Sequence, residues 1–451
     1  MSKYKKTLFI FRRDLRLEDN TGLIYALKTS NEVIPCFILD TDILDNLKKS
    51  RLRIKFLNES LKDLNEQLIK RKTNLRIFRG RSEEIIEKII LENKIDGVFL
   101  NGDYTKFAQL KENKIKKICN QKNIGFNKFA DYLLHVPDEI HTKEQKPYTV
   151  YSYFYKTAKT IPVRSKIKNN FRNYSLDKIK NDNSLEITIE NKEKMEGGRR
   201  NALKILKNIS EYKNYQKTRD YPGLDKTTKL SAHIRFGTIS VREAYQAIKE
   251  NLGIDHTLIN QLYWREFFTY VLHHFPNSKS RTFKKKFRKI PWSTNKQEYH
   301  TWCKGETGFP IVDAGMRQLN KTGFMHNRVR MIVASFLTKD MHIDWKLGER
   351  YFAEKLVDYD PAVNAGNWQW AASTGCDAVP YFRIFNPWIQ QEKFDSNCNY
   401  IKKWIPELET LQPKYIHNLW KKYPEGLTYP KPILNHKIES NKTKIIFKNQ
   451  K

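Results

Sequence analysis

Thirteen residues near the C-terminal end of this 451-residue chain concentrate unusual chemistry: Asp358-Tyr359-Asp360-Pro-Ala-Val-Asn364-Ala-Gly-Asn-Trp368-Gln-Trp370. Two acids, the amide Asn364 and two indoles stand together in an otherwise lysine-rich protein. Acids and amides can hydrogen-bond a planar redox ring, while indoles can stack on it or pass electrons to it. On a helix the two tryptophans, at i and i+2, lie about 200° apart. They would face opposite sides and serve different purposes.

Four other stretches carry candidate chemistry. Asp225-Lys-Thr227-Thr228-Lys229-Leu230-Ser231 gathers hydroxyls, a cation and backbone donors where a loop enters a helix. Such an N-terminus suits a pyrophosphate, and it equally suits ordinary Ser/Thr capping. Gln261-Leu-Tyr-Trp264-Arg265 sets an amide and an indole on one helical face, able to read and stack a base, or simply to pack. Asn327-Arg328-Val-Arg330-Met331 places Asn327, Arg330 and Met331 on one face, polar groups beside a soft sulfur. Arg281-Thr-Phe-Lys-Lys-Lys-Phe-Arg-Lys289 is a basic run with interleaved aromatics. It fits phosphate contact or a solvated face.

Composition narrows the partners. Lys+Arg 83 against Asp+Glu 50 leaves a formal charge of +33, which favours a polyanion, above all nucleic acid. The five cysteines are scattered, with no C-x-x-C pair. That speaks against disulfides, a zinc site or an iron–sulfur cluster, and for a reducing cytosol; no metal is expected. No apolar stretch reaches 18 residues, so a soluble, cytoplasmic protein is expected, nucleoid-associated in a prokaryote.

The elements that must position these residues follow from periodicity. Thr7–Phe11, Val33–Leu39, Leu75–Phe78 and Gly97–Leu100 read as buried parallel strands. Between them Arg51–Lys72, Ser82–Asn93 and Lys106–Gln121 repeat apolar residues at helical spacing. The expected fold is an N-terminal α/β domain with a parallel, Rossmann-like sheet, followed by an all-α C-terminal domain. The first strand lacks a G-x-G-x-x-G and is followed by Arg12-Arg-Asp-Leu-Arg16, so a standard dinucleotide pocket is not expected there. The polar stretch from Ser165 to Lys194 reads as a surface connection. The boundaries set from this pattern are 1–130, a connection over 131–198, a helical cofactor- and DNA-binding domain over 199–430, and a basic, loosely docked tail over 431–451.

Six blocks then point one way: F-R-R-D-L-R-L-E-D-N, T-x-K-L-S-A-H-I-R-F-G, W-R-E-F-F, G-F-P-I-V-D-A-G-M-R-Q-L, M-H-N-R-V-R-M and W-Q-W-A-A-S-T-G. In this order they resemble the photolyase/cryptochrome family, across nearly the whole chain. The resemblance implies a helical domain holding FAD and blue-light chemistry. It places Tyr215, Thr227, Thr228, Lys229, Leu230 and Ser231 around the FAD phosphates and ribose. Asp358, Tyr359 and Asp360 would border the ring, with Arg330 pairing to Asp358 and Asn364 facing the ring's N5. Trp368, Trp345 and Trp292 match the family's electron-transfer chain, and Trp264 and Trp370 match the indoles that pin the lesion. Arg219, Arg265, Asn327, Arg328, Met331 and Gln390 match lesion or DNA contacts.

Two departures refine the reading. Cyclobutane-dimer enzymes resemble this chain most, yet carry Glu where Gln261 stands; Gln is common in (6-4) photolyases. Those enzymes in turn carry a proton-donating His where Asn327 stands, and an amide cannot supply that proton. The expectation is a cyclobutane pyrimidine dimer photolyase acting as a monomer on dimer-containing DNA, with Gln261 lowering efficiency. The alternatives are (6-4) repair or a cryptochrome-type receptor. The Asp103–Ala108 segment lacks the Asn-Glu pair of folate-binding members, which favours a deazaflavin or flavin antenna over methenyltetrahydrofolate.

Overall fold

The computed structural model describes residues 2–43, 50–176 and 195–450. They form two compact units, Met1–Glu211 with Thr228–Pro276, and Tyr212–Thr227 with Asn277–Lys451. The first unit is built on five parallel strands, β1 (Tyr4–Phe11), β2 (Ser30–Asp40), β3 (Arg76–Gly80), β4 (Gly97–Asn101) and β5 (Gly125–Phe129), in the order β3-β2-β1-β4-β5. β1 is central, pairing Thr7 with Val33 on one side and with Gly97 on the other. A strand covered on both faces must be apolar throughout, which is why Leu8, Ile10, Ile34, Val98 and Leu100 are fully or nearly fully buried.

Helices α1 (Thr21–Thr29), α2 (Arg51–Ile69), α3 (Ser82–Asn93) and α4 (Lys106–Gln121) make the crossovers. Ile86, Ile89 and Ile90 of α3 and Ile115 of α4 close one side of the sheet. α1 and β5 are the two elements not expected from the periodicity. Asn20 caps α1 by accepting from Leu23 N at 3.2 Å.

The arginine-rich turn after β1 is a buried ion network. Arg16 pairs with Asp131, Arg242 with Asp19 at 2.9 Å and with Asp131 at 2.7 Å, and Arg164 with Asp19 at 2.8 Å. Burial alone would raise the Asp131 carboxyl, but the Arg16 and Arg242 guanidiniums hold it far below the usual carboxylate range. This network corrects the expected boundaries. Arg242 lies on α8 (Val241–Leu252), so α8 is locked to the strand loops rather than belonging to a separate helical domain. Residues 131–176 are likewise part of the first unit, with α5 (Tyr151–Ala158) between them and Asp131, His135 and Phe154 buried. The remainder of the expected connection, 177–194, lies outside the described residues. α6 (Arg199–Lys207), α7 (Leu230–Phe236) and α9 (Thr257–His274) complete the first unit.

The second unit is helical: α10 (Lys296–Lys304), α11 (Pro310–Thr322), α12 (Asn327–Ser335), α13 (Trp345–Lys355), α14 (Pro361–Ala371), α15 (Pro387–Phe394), α16 (Asn399–Trp404) and α17 (His436–Lys448). They surround one core containing Trp302, Met316, Val329, Phe336, Trp345, Phe352 and Trp368. The expected loose tail is a docked helix instead. In α17 Thr443 donates to the Lys339 carbonyl, His436 meets Asp340 at 2.5 Å, and Phe447 packs on Phe287 with ring centroids 5.0 Å apart. Phe287 is thus the anchor inside the Arg281–Lys289 basic run, whose Lys285, Lys286, Arg288 and Lys289 remain exposed.

Candidate active site

In the second unit the site is organised by α12, α13 and α14. Asp360 starts α14: its Oδ1 accepts from Ala362 N at 3.0 Å and from Val363 N at 3.3 Å, and Pro361 occupies the first helical turn. Acid, then proline, is the composition a helix N-terminus wants. One turn on, Asn364 is 8% exposed and its Nδ2 donates to the Glu349 carbonyl and Oε1, each at 3.0 Å. Tyr359 donates to the same Glu349 carboxylate at 3.5 Å. Burial raises the Glu349 carboxyl above its ordinary value, against the hydrogen bond from Asn364. With Nδ2 committed, Oδ1 is the atom of Asn364 left to accept. Glu349 was not among the expected residues; on a charged helix it reads as solvent-facing.

Asp358 is clamped by Arg330, whose Nη2 lies 3.2 Å from Oδ1 and 3.0 Å from Oδ2. Arg330 Nε donates to the Met325 carbonyl at 2.8 Å, fixing the fork before it reaches the acid.

The two indoles of α14 differ in burial. Trp368 is 2% exposed and enclosed by Phe352 (centroids 5.0 Å, nearly perpendicular) and Trp302 (6.1 Å). Gly348 faces it on α13, where a Cβ would come within 2.2 Å of the indole. Trp370 is half-buried and packs against the rim of the same core. Trp345 is buried with Nε1 donating to Thr282 Oγ1 at 3.3 Å, and Trp292 packs half-buried on the cluster. Of the three expected chain members, Trp368 and Trp345 are thus buried and Trp292 half-buried. Trp302, which the expectation did not include, touches Trp368 directly.

On α12 Asn327 is exposed, its Nδ2 3.8 Å from Met331 Sδ. The preceding His326 caps the helix through Nδ1, accepting from Arg328 N at 3.2 Å, and burial pushes its imidazole down to about 4. Arg328 pairs with Asp220 at 2.8 Å and lies over the Phe394 ring at 4.4 Å. It borders a cleft of about 410 Å³ with Gln390, Lys217, Arg383 and Lys393, where Asp220 is the one lining carboxylate. Arg219 reaches Asp220 only at 3.8 Å. Tyr215 is half-buried, and burial raises its phenol. Thr227 Oγ1 is buried with no hydrogen-bond partner among the described residues.

In the first unit, Lys229 takes a left-handed turn (φ 53°) at the start of α7, and Thr228 Oγ1 accepts from Leu230 N at a long 3.4 Å. Leu230 is buried and Ser231 exposed. On α9 the Trp264 ring stacks on Tyr151 with centroids 3.6 Å apart and 9° between planes. Tyr151, also unforeseen, fixes the indole as a wall. Gln261, one turn earlier, is half-buried and its side chain has no partner among the described residues. Arg265 differs from the expected DNA contact. Its guanidinium lies 3.8 Å over the Tyr132 ring, Nη1 donates to the Tyr132 carbonyl, and Nη2 is buried, so its charge is directed into the unit.

Comparison with known proteins fits this geometry. Residues 7–168 match a family described as DNA photolyase, and residues 258–449 match the FAD binding domain of DNA photolyase. Over 97% of its length the chain is 36% identical to 97% of a deoxyribodipyrimidine photo-lyase from Alkalihalophilus pseudofirmus. The chain belongs to the photolyase/cryptochrome family. Family members are also similar in structure. An archaeal photolyase from Sulfolobus tokodaii, described with two FAD molecules, has a TM-score of 0.87 at 39% identity, over 98% of this chain and all of that one. A class III photolyase from Agrobacterium tumefaciens scores 0.91 at 32% identity, over 99% and 98%. Among the described residues no helix is long and apolar enough to cross a membrane.

Proposed function

We propose that this chain is a light-driven DNA repair enzyme that splits cyclobutane pyrimidine dimers, a deoxyribodipyrimidine photo-lyase. The observation that carries the reading is α14 itself. One short helix presents a buried indole in an aromatic core, a second, half-buried indole at the rim of that core, and a buried amide whose Nδ2 is committed to Glu349, leaving Oδ1 to accept. FAD, when bound, supplies light absorption and the one-electron donation that ring splitting needs.

The residues present fit that cofactor. Thr227 offers a buried hydroxyl with no partner, and Tyr215 a half-buried phenol beside the same segment. Thr228, Lys229, Leu230 and Ser231 turn hydroxyls, a cation and backbone donors toward a helix start, which suits phosphate. The Arg330–Asp358 pair, with Tyr359 and Asp360, supplies fixed charge and polarity for an isoalloxazine edge. Asn364 would accept from a ring N–H through Oδ1, its orientation held by Glu349. Trp368, Trp345 and Trp292 would relay electrons from the surface. A second flavin as antenna is the reading supported by the archaeal relative with two FAD molecules.

For the substrate, Arg328, Lys217, Arg383 and Lys393 make a cleft that attracts backbone phosphate without reading sequence, with Gln390 and Arg219 beside it. A dimer must leave the stack to be reached, as it does in photolyases as a class. By the family resemblance, Trp264 and Gln261 of the first unit, and Trp370, Asn327 and Met331 of the second, are each assigned to lesion contact. The (6-4) reading needs a proton donor. Asn327 has none to give, and His326 is buried and held neutral at ordinary pH. The enzyme is proposed to act as a monomer in the cytoplasm, its +33 charge keeping it near DNA.

The test is direct. Oligonucleotides bearing a thymine dimer or a (6-4) product are irradiated with blue light in the presence of the pure protein, and restored thymines are counted. Repair of the dimer alone is expected. Repair of the (6-4) product alone, or of neither, overturns the reading in favour of the (6-4) or sensor function.

A further inference from the structure

The C-terminal end of α9 carries a cluster that the repair reaction does not use. His273 and His274 are its last two residues, and the turn Pro137–Glu139 brings Asp138 against them. One ligand atom from each of the three lies within 4.8 Å of the other two. His273 Nε2 is 2.9 Å from Asp138 Oδ1. The Pro137 carbonyl faces the His274 ring, and His274 Nε2 is buried with no hydrogen-bond partner among the described residues. His141 stands beside them, its ring 5.8 Å from that of His274, its Nε2 2.7 Å from the Asp138 carbonyl and its Nδ1 buried without a partner.

An ordinary histidine–aspartate pin explains only the 2.9 Å contact. It leaves Nδ1 of His141, Nδ1 of His273 and Nε2 of His274 buried and unsatisfied on one patch. Buried polar atoms without partners are few in native proteins, and each needs a reason. We propose that His273, His274 and Asp138 bind a divalent first-row transition cation, Zn²⁺ being the best fit, with His141 or water at the fourth position.

Several features support the assignment. Two imidazoles and a carboxylate are the ligand set of borderline cations, whereas hard Mg²⁺ and Ca²⁺ prefer oxygen alone. Bonds of about 2.0–2.2 Å place tetrahedral ligand atoms about 3.4 Å apart, within reach of small side-chain rotations from the observed spacing. A carbonyl facing the far side of a ligating ring is the usual outer partner of a metal-bound imidazole, and Pro137 provides it. The site also lies at a helix C-terminus, where the backbone dipole favours a cation.

The frame is already rigid. Tyr270 donates to the Ile140 carbonyl at 2.8 Å, Glu139 N to the Val136 carbonyl at 3.0 Å, and Tyr104 packs its ring edge-on to His273. Asp138 is exposed, which leaves an entry path. A bound cation would clasp the Pro137–His141 turn to the end of α9, the helix that carries Gln261 and Trp264 at its other end.

The scattered cysteines gave no reason to expect a metal, because this site is built from histidines that only the fold brings to Asp138. Equilibrium dialysis of the FAD-loaded, chelator-stripped full-length protein against Zn²⁺, with elemental analysis, tests it, Mg²⁺ serving as the hard-cation control. One tight equivalent of Zn²⁺ is expected, with affinity at least about tenfold weaker in His273→Gln and His274→Gln. Asp138→Asn, an exposed change that leaves the fold alone, should weaken it several-fold, and His300→Gln not at all. FAD content per chain confirms that each variant is folded. Absence of a stoichiometric equivalent at about 100 µM Zn²⁺, or wild-type binding in all three site variants, overturns the proposal.

Discussion

Gly348→Ala sets two opposed effects against each other, and the structure says which wins. Gly348 lies inside α13, and replacing a helical glycine with alanine ordinarily stabilises by about 1 kcal/mol. Here the new Cβ would meet Trp368 Cη2 at 2.2 Å, Cζ3 at 2.4 Å and Leu337 Cδ2 at 2.6 Å. Carbon atoms rest at about 3.5–4.0 Å, so the indole would have to withdraw by more than about 1 Å. It cannot do so freely, because Phe352 and Trp302 enclose it. Overpacking of this kind costs about 1–3 kcal/mol, and rigid neighbours put it at the upper end. The net expectation is destabilisation of about 1–2 kcal/mol, read by urea or thermal melts followed by circular dichroism. Displacement of Trp368 should also slow photoreduction of oxidised FAD, followed by the loss of visible flavin absorbance. A cycle with Trp368→Phe isolates the cause. Phenylalanine lacks the outer ring atoms that clash, so the cost of Gly348→Ala should shrink by about 1 kcal/mol in that background. A Gly348→Ala protein as stable as the parent, or an equal cost in both backgrounds, would refute the packing argument.

Three further outcomes are expected. Gln261→Glu should raise the yield of cyclobutane dimer repair and leave (6-4) repair absent; one added hydrogen bond of about 1 kcal/mol limits the gain to about fivefold, and an unchanged or lower quantum yield contradicts the role given to Gln261. His326→Asn keeps an N-cap but removes an imidazole that burial holds at about 4. The unfolded chain protonates that histidine near pH 6.5 and the folded chain does not, so wild type loses up to about 3 kcal/mol relative to the variant as pH falls from about 6.5 to about 4. Urea midpoints of the two proteins at pH 7.5 and pH 4.5 read this, and a constant difference refutes it. Lys217→Ala with Lys393→Ala should weaken binding to all DNA sequences alike. It should reduce the slope of log affinity against log salt by about 0.9 for each phosphate no longer neutralised, as measured by fluorescence anisotropy; an unchanged slope places the DNA elsewhere.

The sheet was legible where burial on both faces forces an unbroken apolar run. β1, β2 and β4 announce themselves in this way; β3, an edge strand of mixed burial, was found from its short apolar stretch, its start shifted from Leu75 to Arg76. β5 escaped because Gly-Phe-Asn-Lys-Phe is no apolar run: polar Asn127 and Lys128 interrupt it and none of its residues is fully buried. α17 escaped for a similar reason. Its lysines describe a solvated face truly, but the few residues that dock it, Thr443 and Phe447, are too sparse to show as a period. The expected split at 130 and 199 failed on charge. Arg16, Arg164 and Arg242 look like surface cations, and only the fold brings them to Asp19 and Asp131.

The site shows the same division more sharply. The resemblance pointed to Asn364, Arg330, Asp358 and the tryptophans as candidates, because these are matched by residue type at fixed separations along the chain. It did not locate Glu349, Tyr151 or Trp302, which act through contact with a named residue. Each changes what its partner can do. Glu349 takes both hydrogens of the Asn364 amide, so the group that a ring N–H would meet is an acceptor and never a donor. Tyr151 covers one face of Trp264, so the lesion contact proposed for that indole is confined to its other face. Trp302 encloses Trp368 with Phe352, so the proposed first member of the relay is held in place by its neighbours. A residue's type says which atoms it owns; its neighbours decide which of those atoms remain to do chemistry.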